Sequence, residues 1–94
     1  MISLFHVEQD EFAAYVCSHV FEHTRPVLLV ARDDGDWQFL CGGAHAPDEL
    51  PRVVGLNHLI DADPSLRQAL DLPIDWEAER AFVGGPWTRR IVTD

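Results

Sequence analysis

Two histidines four positions apart, His19 and His23, have the spacing that most directly suggests chemistry. On an α-helix this spacing places both imidazoles on one side, one turn apart, where they could bind a transition metal. Further ligands would have to come from Cys17 or His45. Because the chain has neither an HExxH motif nor a CxxC spacing, we expect no metal and no cofactor. A small metal-binding regulator or enzyme that uses His19 and His23 is kept as the alternative function.

Carboxylates are the other candidates for chemistry. The acids around Gly35 are adjacent rather than alternating, and Cys41 stands where a calcium loop needs a glutamate, so a hairpin turn is favoured. Glu77 and Glu79 share one face of a predicted strand, and Arg80 lies on the other face beside apolar residues. Since a buried guanidinium needs a carboxylate partner, we expect a structural ion pair with a loop acid, Asp48 or Asp63. No catalytic residue is predicted.

The charge balance excludes several classes of function. Seven basic and 16 acidic residues give a formal net charge of −9, which disfavours binding to nucleic acids and to anionic membranes. Every basic residue is arginine, so a P-loop lysine, a Schiff-base lysine and a lysine nucleophile are excluded. The oligomeric state is left open.

Length and apolar content predict a single domain, residues 1–94, in the cytoplasm. The 94 residues suffice for one core, and no run of 18 apolar residues occurs. In a reducing compartment Cys17 and Cys41 are expected to be small buried residues rather than a disulfide.

Three tryptophans are many for so small a chain, because one small core can hardly enclose all of them. At least one is expected to be partly exposed. An exposed tryptophan within an acidic surface is a plausible anchor for a basic protein partner. The candidate protein-binding residues are Trp37, Asp48, Glu49, Trp76 and Trp87.

The elements that would position these residues follow from local patterns. Apolar residues at helical spacing predict a helix from Asp10 to His23. Asp63 followed by Pro64 predicts the start of a short second helix, because the pair supplies an N-cap acceptor and a first residue that needs no N–H partner. The predicted strands are residues 26–32 and 37–41, joined as a hairpin, then 52–56, 77–83 and 87–92. The expected fold class is α+β: a small, mostly antiparallel sheet packed against one main N-terminal helix, with a short second helix.

An ordered set of short motifs carries a resemblance to a known family. They are Asp36-Trp37-Gln38-Phe39-Leu40-Cys41-Gly42, Val54-Gly55-Leu56-Asn57, Asp63-Pro64-Ser65-Leu66, Pro73 and Arg80. Together they resemble the immunity-protein-thirty-three-like domain of bacteria, a family earlier catalogued as a domain of unknown function. The resemblance extends from about Pro26 to Arg80.

The resemblance implies a small α+β domain that binds and neutralises a cognate toxin in a bacterial polymorphic-toxin system. The positions that match the family pattern are Trp37, Gly42, Asn57, Asp63, Pro64, Pro73 and Arg80. Two positions depart from it: Gly43 stands where an acidic residue is usual, and Asp75 stands where a glycine is usual. From the matching positions we expect a stoichiometric protein-binding module rather than an enzyme.

Overall fold

The computed structural model describes residues 13–43, 45 and 49–92. Within these ranges a single six-stranded sheet carries three short helical segments. The strands are β1 Ala13–Val16, β2 Leu29–Asp33, β3 Asp36–Leu40, β4 Arg52–Gly55, β5 Trp76–Glu79 and β6 Thr88–Ile91. The helical segments are α1 Ser18–Phe21, α2 Leu56–Ala62 and a 3-10 helix at Pro64–Ala69.

The strand order is β4-β1-β3-β2-β5-β6, and the sheet is mixed. β1 and β3 run parallel, whereas the other four strand pairs are antiparallel. Because consecutive side chains in a strand point to opposite faces, the register assigns every strand residue to one of two faces. The parallel pair brings the carboxyl ends of β1 and β3 to the same edge of the sheet.

One face of the sheet is covered by the helices and forms the core. The largest fully buried side chains are Val16, Val30, Phe39, Leu56, Leu66 and Leu72. α1 contributes Val20 to the same cluster, α2 contributes Ile60 and the 3-10 helix contributes Ala69. Each large apolar side chain removed from water stabilises the fold by about 1.5–3 kcal/mol.

Several local predictions are confirmed. The hairpin forms from β2 and β3, and Asp34 and Gly35 both take positive φ, 54° and 91°, as a two-residue turn of this kind requires. Asp63 caps the next helical segment, because its Oδ1 accepts a hydrogen bond from the Ser65 N–H at 3.1 Å and Pro64 follows it. The predicted second helix is a 3-10 helix. The last two predicted strands exist as the shorter β5 and β6.

The predicted main helix from Asp10 to His23 is wrong where the structure describes that stretch. Ala13–Val16 is a strand, and only one helical turn, Ser18–Phe21, follows it. The apolar residues fit both periods, but Ala14 and Val16 are buried while Ala13 and Tyr15 are exposed, which is the alternation of a strand. Strand pairing on both sides, with β3 and β4, outweighs the helical spacing.

The predicted fold class is wrong for the same reason. In place of a sheet packed against one main helix, the described residues form a sheet-dominated domain with short helices alone. None of the helices in the described part of the chain has the length and apolarity needed to cross a membrane.

Candidate functional site

The face of the sheet opposite the core is here called the open face. All helices of the described residues place side chains in the core cluster, so they lie on the other side. The open face comprises Ala13, Tyr15, Leu29, Ala31, Asp33, Asp36, Gln38, Leu40, Val53, Gly55, Glu77, Glu79, Thr88 and Arg90. Tyr15 and Val53 are opposite each other in register and are 39% and 59% exposed. The end of this face at β4 and β1 is therefore apolar and accessible.

The strands separate their charges between the two faces. All four acidic strand residues, Asp33, Asp36, Glu77 and Glu79, lie on the open face. Three of the four strand arginines lie on the core side: Arg32, Arg52 and Arg89. Arg32 and Arg52 stack on the rings of Trp37 and Phe21 at 4.6 and 4.7 Å, and Arg89 pairs with Asp71. The open face is consequently acidic.

Arg90 is the one cation among the strand residues of the open face. Its Nη2 lies 2.5 Å from Glu77 Oε2 and 3.1 Å from Glu79 Oε1. These hydrogen bonds to Glu79 and Glu77 raise the pKa of Arg90 above its usual value. Next to the turn that joins β2 and β3, Asp33 and Asp36 are direct cross-strand partners. Like charges in this position destabilise a sheet, so the pair is costly to the fold.

The structure describes four of the five sequence-predicted binding residues. Trp37 is buried at 8% exposure and lies on the core side, and Trp76 faces the same side from β5. Trp76 and Trp87 are half-buried, which agrees with the expectation of partly exposed tryptophans. Glu49 is half-buried and accepts a hydrogen bond from Ser18 Oγ. Asp48 lies outside the described residues.

Arg80 is the centre of a buried polar network, as its position on an apolar strand face predicts. Its guanidinium is 2.7 Å from Asp63 Oδ2, which confirms the expected ion pair with a loop acid. It also donates to the Val27 carbonyl from Nε and Nη2 and to Ser65 Oγ from Nη1. The guanidinium carbon of Arg80 stacks over the Trp87 ring, 4.4 Å from the ring centroid. The network joins the end of β5 to the start of β2 and to the 3-10 helix.

Asp63 therefore has two structural roles, as a helix cap and as the counterion of Arg80. Burial alone would raise the pKa of its carboxyl, but hydrogen bonds from Ser65 and Arg80 and the positive charge of Arg80 outweigh burial and lower that pKa. The ionised form is thus the one that the fold stabilises.

The other matched motif positions are also structural. Gly42 takes φ 81° after β3, where a side chain would be strained. The Asn57 side chain lies 2.6 Å from the point that a Cβ on Gly55 would occupy, so a larger residue at the start of α2 would have to displace that amide. The Pro73 carbonyl accepts a hydrogen bond from the Trp76 N–H at 3.2 Å.

A cluster of two cysteines and two histidines lies at the edge where β1 and β3 end. The ligand atoms of Cys17, His19, Cys41 and His45 all lie within 4.8 Å of one another. Cys41 Sγ is 3.5 Å from His19 Nδ1 and 3.5 Å from His45 Nε2, and the two imidazole centroids are 4.9 Å apart. Both cysteines are buried and free, as predicted, while His19 is half-buried and His45 is exposed.

The alternative function requires His19 and His23 to lie on one helix face, and they do not. α1 ends at Phe21, and His23 takes a left-handed φ of 61°, so the two histidines do not share a helix face. Sequence reasoning named Cys17 and His45 as further ligands but missed Cys41. The available signal was the pair of short spacings Cys-x-His and Cys-x-x-x-His, each placed after a strand.

An apolar groove of about 860 Å³ lies between the α1–β2 connection and α2. Its walls include Val20, Phe21 and Leu59, with His23 and His58 also lining it. The acid that reaches the groove is Asp63, which is already held by Arg80. The groove therefore offers an apolar surface rather than a converging set of acid and base groups.

Comparison with known proteins adds no relative: no family model, curated protein or solved structure matches this chain. The likeness to the immunity-protein-thirty-three-like domain stays a prediction that rests on its motif residues.

Proposed function

We propose that this protein is a stoichiometric protein-binding module that resembles an immunity protein and neutralises a cognate bacterial toxin without catalysis. It acts in the bacterial cytoplasm, and the open face is its contact surface. The observation that carries the proposal is the separation of charge across the sheet, with every acidic strand residue on the open face and most strand arginines on the core side.

The composition of the open face suits a protein partner. Tyr15 and Val53 supply exposed apolar area at one end, and the half-buried Leu29 and Leu40 continue it toward the centre. Apolar area within a charged rim is the usual anatomy of a protein–protein contact. A tyrosine at such a position adds a rigid, amphipathic contact at a low cost in conformational entropy.

The charge of the open face selects a basic partner. Four carboxylates and one arginine leave an excess of negative charge, which speeds the encounter with a cationic surface and excludes acidic competitors. The Asp33 and Asp36 pair supports the same conclusion. Because these like charges face each other across the hairpin, a bound cation would relieve a repulsion that the free protein maintains.

Co-expression tests the function. The chain is expressed in turn with each product of the genes beside its own, and growth is measured. We expect one neighbouring product to be toxic and the chain to restore growth. If none of the products is toxic, or if the chain forms no complex with a toxic one, the proposed function is wrong.

Matched variants test the surface. Asp33→Asn with Asp36→Asn removes two charges from the open face, whereas Asp71→Asn with Asp61→Asn removes two exposed charges from outside the strands. We expect the first pair to weaken rescue and the second pair to leave it unchanged. Equal rescue by both pairs would place the contact surface elsewhere.

A further inference from the structure

We propose that Cys17, His19, Cys41 and His45 form a four-coordinate structural zinc site. The inference is independent of the proposed function, because it rests on the edge of the sheet where β1 and β3 end. Two thiolates with two imidazoles are a donor set that Zn²⁺ prefers, and four protein ligands leave no open position for a substrate.

The distances fit a single tetrahedral ion. With Zn–S near 2.3 Å and Zn–N near 2.05 Å, a tetrahedral site places sulfur and nitrogen about 3.6 Å apart. The distances from Cys41 Sγ to His19 Nδ1 and to His45 Nε2 are both 3.5 Å. No pair of ligand atoms exceeds 4.8 Å, so shifts of up to about 1.5 Å bring every pair to the tetrahedral spacings of about 3.3–3.8 Å.

The sheet positions the cysteines before any metal binds. β1 and β3 are parallel neighbours, with Val16 paired with Phe39, so Cys17 and Cys41 follow the same end of adjacent strands. Both side chains are buried, at 7% and 6% exposure. His19 comes from the single turn of α1, and His45 follows the glycine turn after β3. Each strand end thus supplies one sulfur and one imidazole.

The backbone after β3 is shaped for a thiolate. The Gly43 N–H lies 3.4 Å from Cys41 Sγ and donates to it. Gly42 takes φ 81°, which turns the chain back toward the sulfur. A Cβ on Gly43 would lie 2.7 Å from Arg25 Nη1, so a larger residue there would displace the end of that side chain. A hydrogen bond from the backbone to a ligand sulfur is the kind of contact that orients a metal ligand.

The charge of the complete site is balanced. Binding releases the two thiol protons, and two thiolates neutralise the two positive charges of zinc while both imidazoles stay neutral. The zinc ion with its two buried thiolates therefore carries no net charge, which avoids the desolvation cost of an unpaired buried ion.

Zinc at this position would hold elements that are too short to be stable alone. α1 has one turn, and an isolated turn does not offset its nucleation cost. Four bonds to one ion would fix α1 and the loop after β3 to the two strand ends. Because the metal binds the folded chain, its removal lowers the midpoint of thermal unfolding.

The experiment measures the metal content of the full chain purified without a histidine tag under reducing conditions. We expect about one zinc per chain by elemental analysis. The apoprotein is then titrated with Co²⁺, for which tetrahedral ligation with two sulfurs gives intense visible bands and a thiolate charge-transfer band in the near ultraviolet. A Co²⁺ spectrum without these bands would overturn the proposal, as would a Cys17–Cys41 disulfide in the reduced preparation by mass spectrometry.

Two pairs of variants separate ligation from folding. His19→Ala is compared with His23→Ala, which lies four residues away outside the cluster, and His45→Ala is compared with His58→Ala, since both of these side chains are exposed. We expect the cluster variants to lose the bound zinc and to weaken Co²⁺ binding at least tenfold, and the controls to retain both. His45→Ala keeps the test decisive if a buried variant fails to fold. Equal metal binding by both members of each pair would refute the assignment.

Discussion

Replacement of Asp63 by alanine is the most informative test of the account of the fold. The change removes the N-cap acceptor of the 3-10 helix and the counterion of a guanidinium that is 3% exposed. Loss of a cap costs about 1 kcal/mol. Loss of one partner of a fully buried ion pair costs about 3–5 kcal/mol, because the other charge stays buried.

The structure lowers the expected cost of losing the ion pair. The Asp63 side chain is 20% exposed, and Arg80 keeps its hydrogen bonds to Val27 and Ser65. We therefore expect Asp63→Ala to lower the free energy of unfolding by about 3 kcal/mol in total. For a chain of this length that lowers the unfolding midpoint by roughly 12 °C or more. Asp63→Asn keeps a capping oxygen and loses only the charge, so its cost is about 2 kcal/mol.

Chemical and thermal denaturation of the variants, followed by circular dichroism, measures both values. The matched control is Asp71→Ala, which removes a carboxylate from an exposed pair with Arg89 at 3.2 Å and has an expected cost below about 1 kcal/mol. If Asp63→Ala costs no more than Asp71→Ala, the Arg80 network does not hold the fold together and the reasoning is refuted.

Three further predictions follow from single features. Folding lowers the pKa of Asp63, so the ionised carboxylate contributes its full stability above the unfolded pKa of about 3.9 and loses it as the pH falls through the folded pKa. Denaturation at several pH values should therefore show the free energies of unfolding of the wild type and Asp63→Asn converging below about pH 4. Gly42→Ala should lower the free energy of unfolding by about 1 kcal/mol in urea titrations, because φ is 81° there and no clash occurs; an unchanged midpoint would contradict this turn. Asp33→Asn with Asp36→Asn should raise the unfolding midpoint slightly by removing a cross-strand repulsion, and a lowered midpoint would show that the acids support the fold.

Local chemistry made part of this structure predictable. Asp34-Gly35 specifies a tight turn, and Asp63-Pro64 specifies a helix start, because in each case the backbone requirement is met within a few residues. Arg80 was also predictable, since burial of a guanidinium on an apolar strand face requires a nearby carboxylate.

Local sequence patterns did not make the first strand, β1, predictable. The apolar spacing around Val16 and Val20 fits a helix, and the choice of a strand depends on pairing with β3 and β4, which are distant in sequence. The Cys/His cluster was missed for the same reason. Only the parallel pairing of β1 with β3 brings Cys41 next to Cys17, and no local pattern encodes that pairing.

The separation of charge depends on register. The spacing of Glu77 and Glu79 predicts that they share a face of the sheet. It does not predict that Asp33 and Asp36 lie on that same face. The sheet order and the register together establish it.

The most direct test of the central claim is the salt dependence of the affinity between this protein and the toxic product of a neighbouring gene, measured by calorimetry. We expect the dissociation constant to rise steeply with salt for the wild type. Asp33→Asn with Asp36→Asn should weaken binding at low salt and flatten that dependence, whereas Asp71→Asn with Asp61→Asn should match the wild type. An affinity that is independent of salt, or unchanged in the open-face variant, would contradict the account.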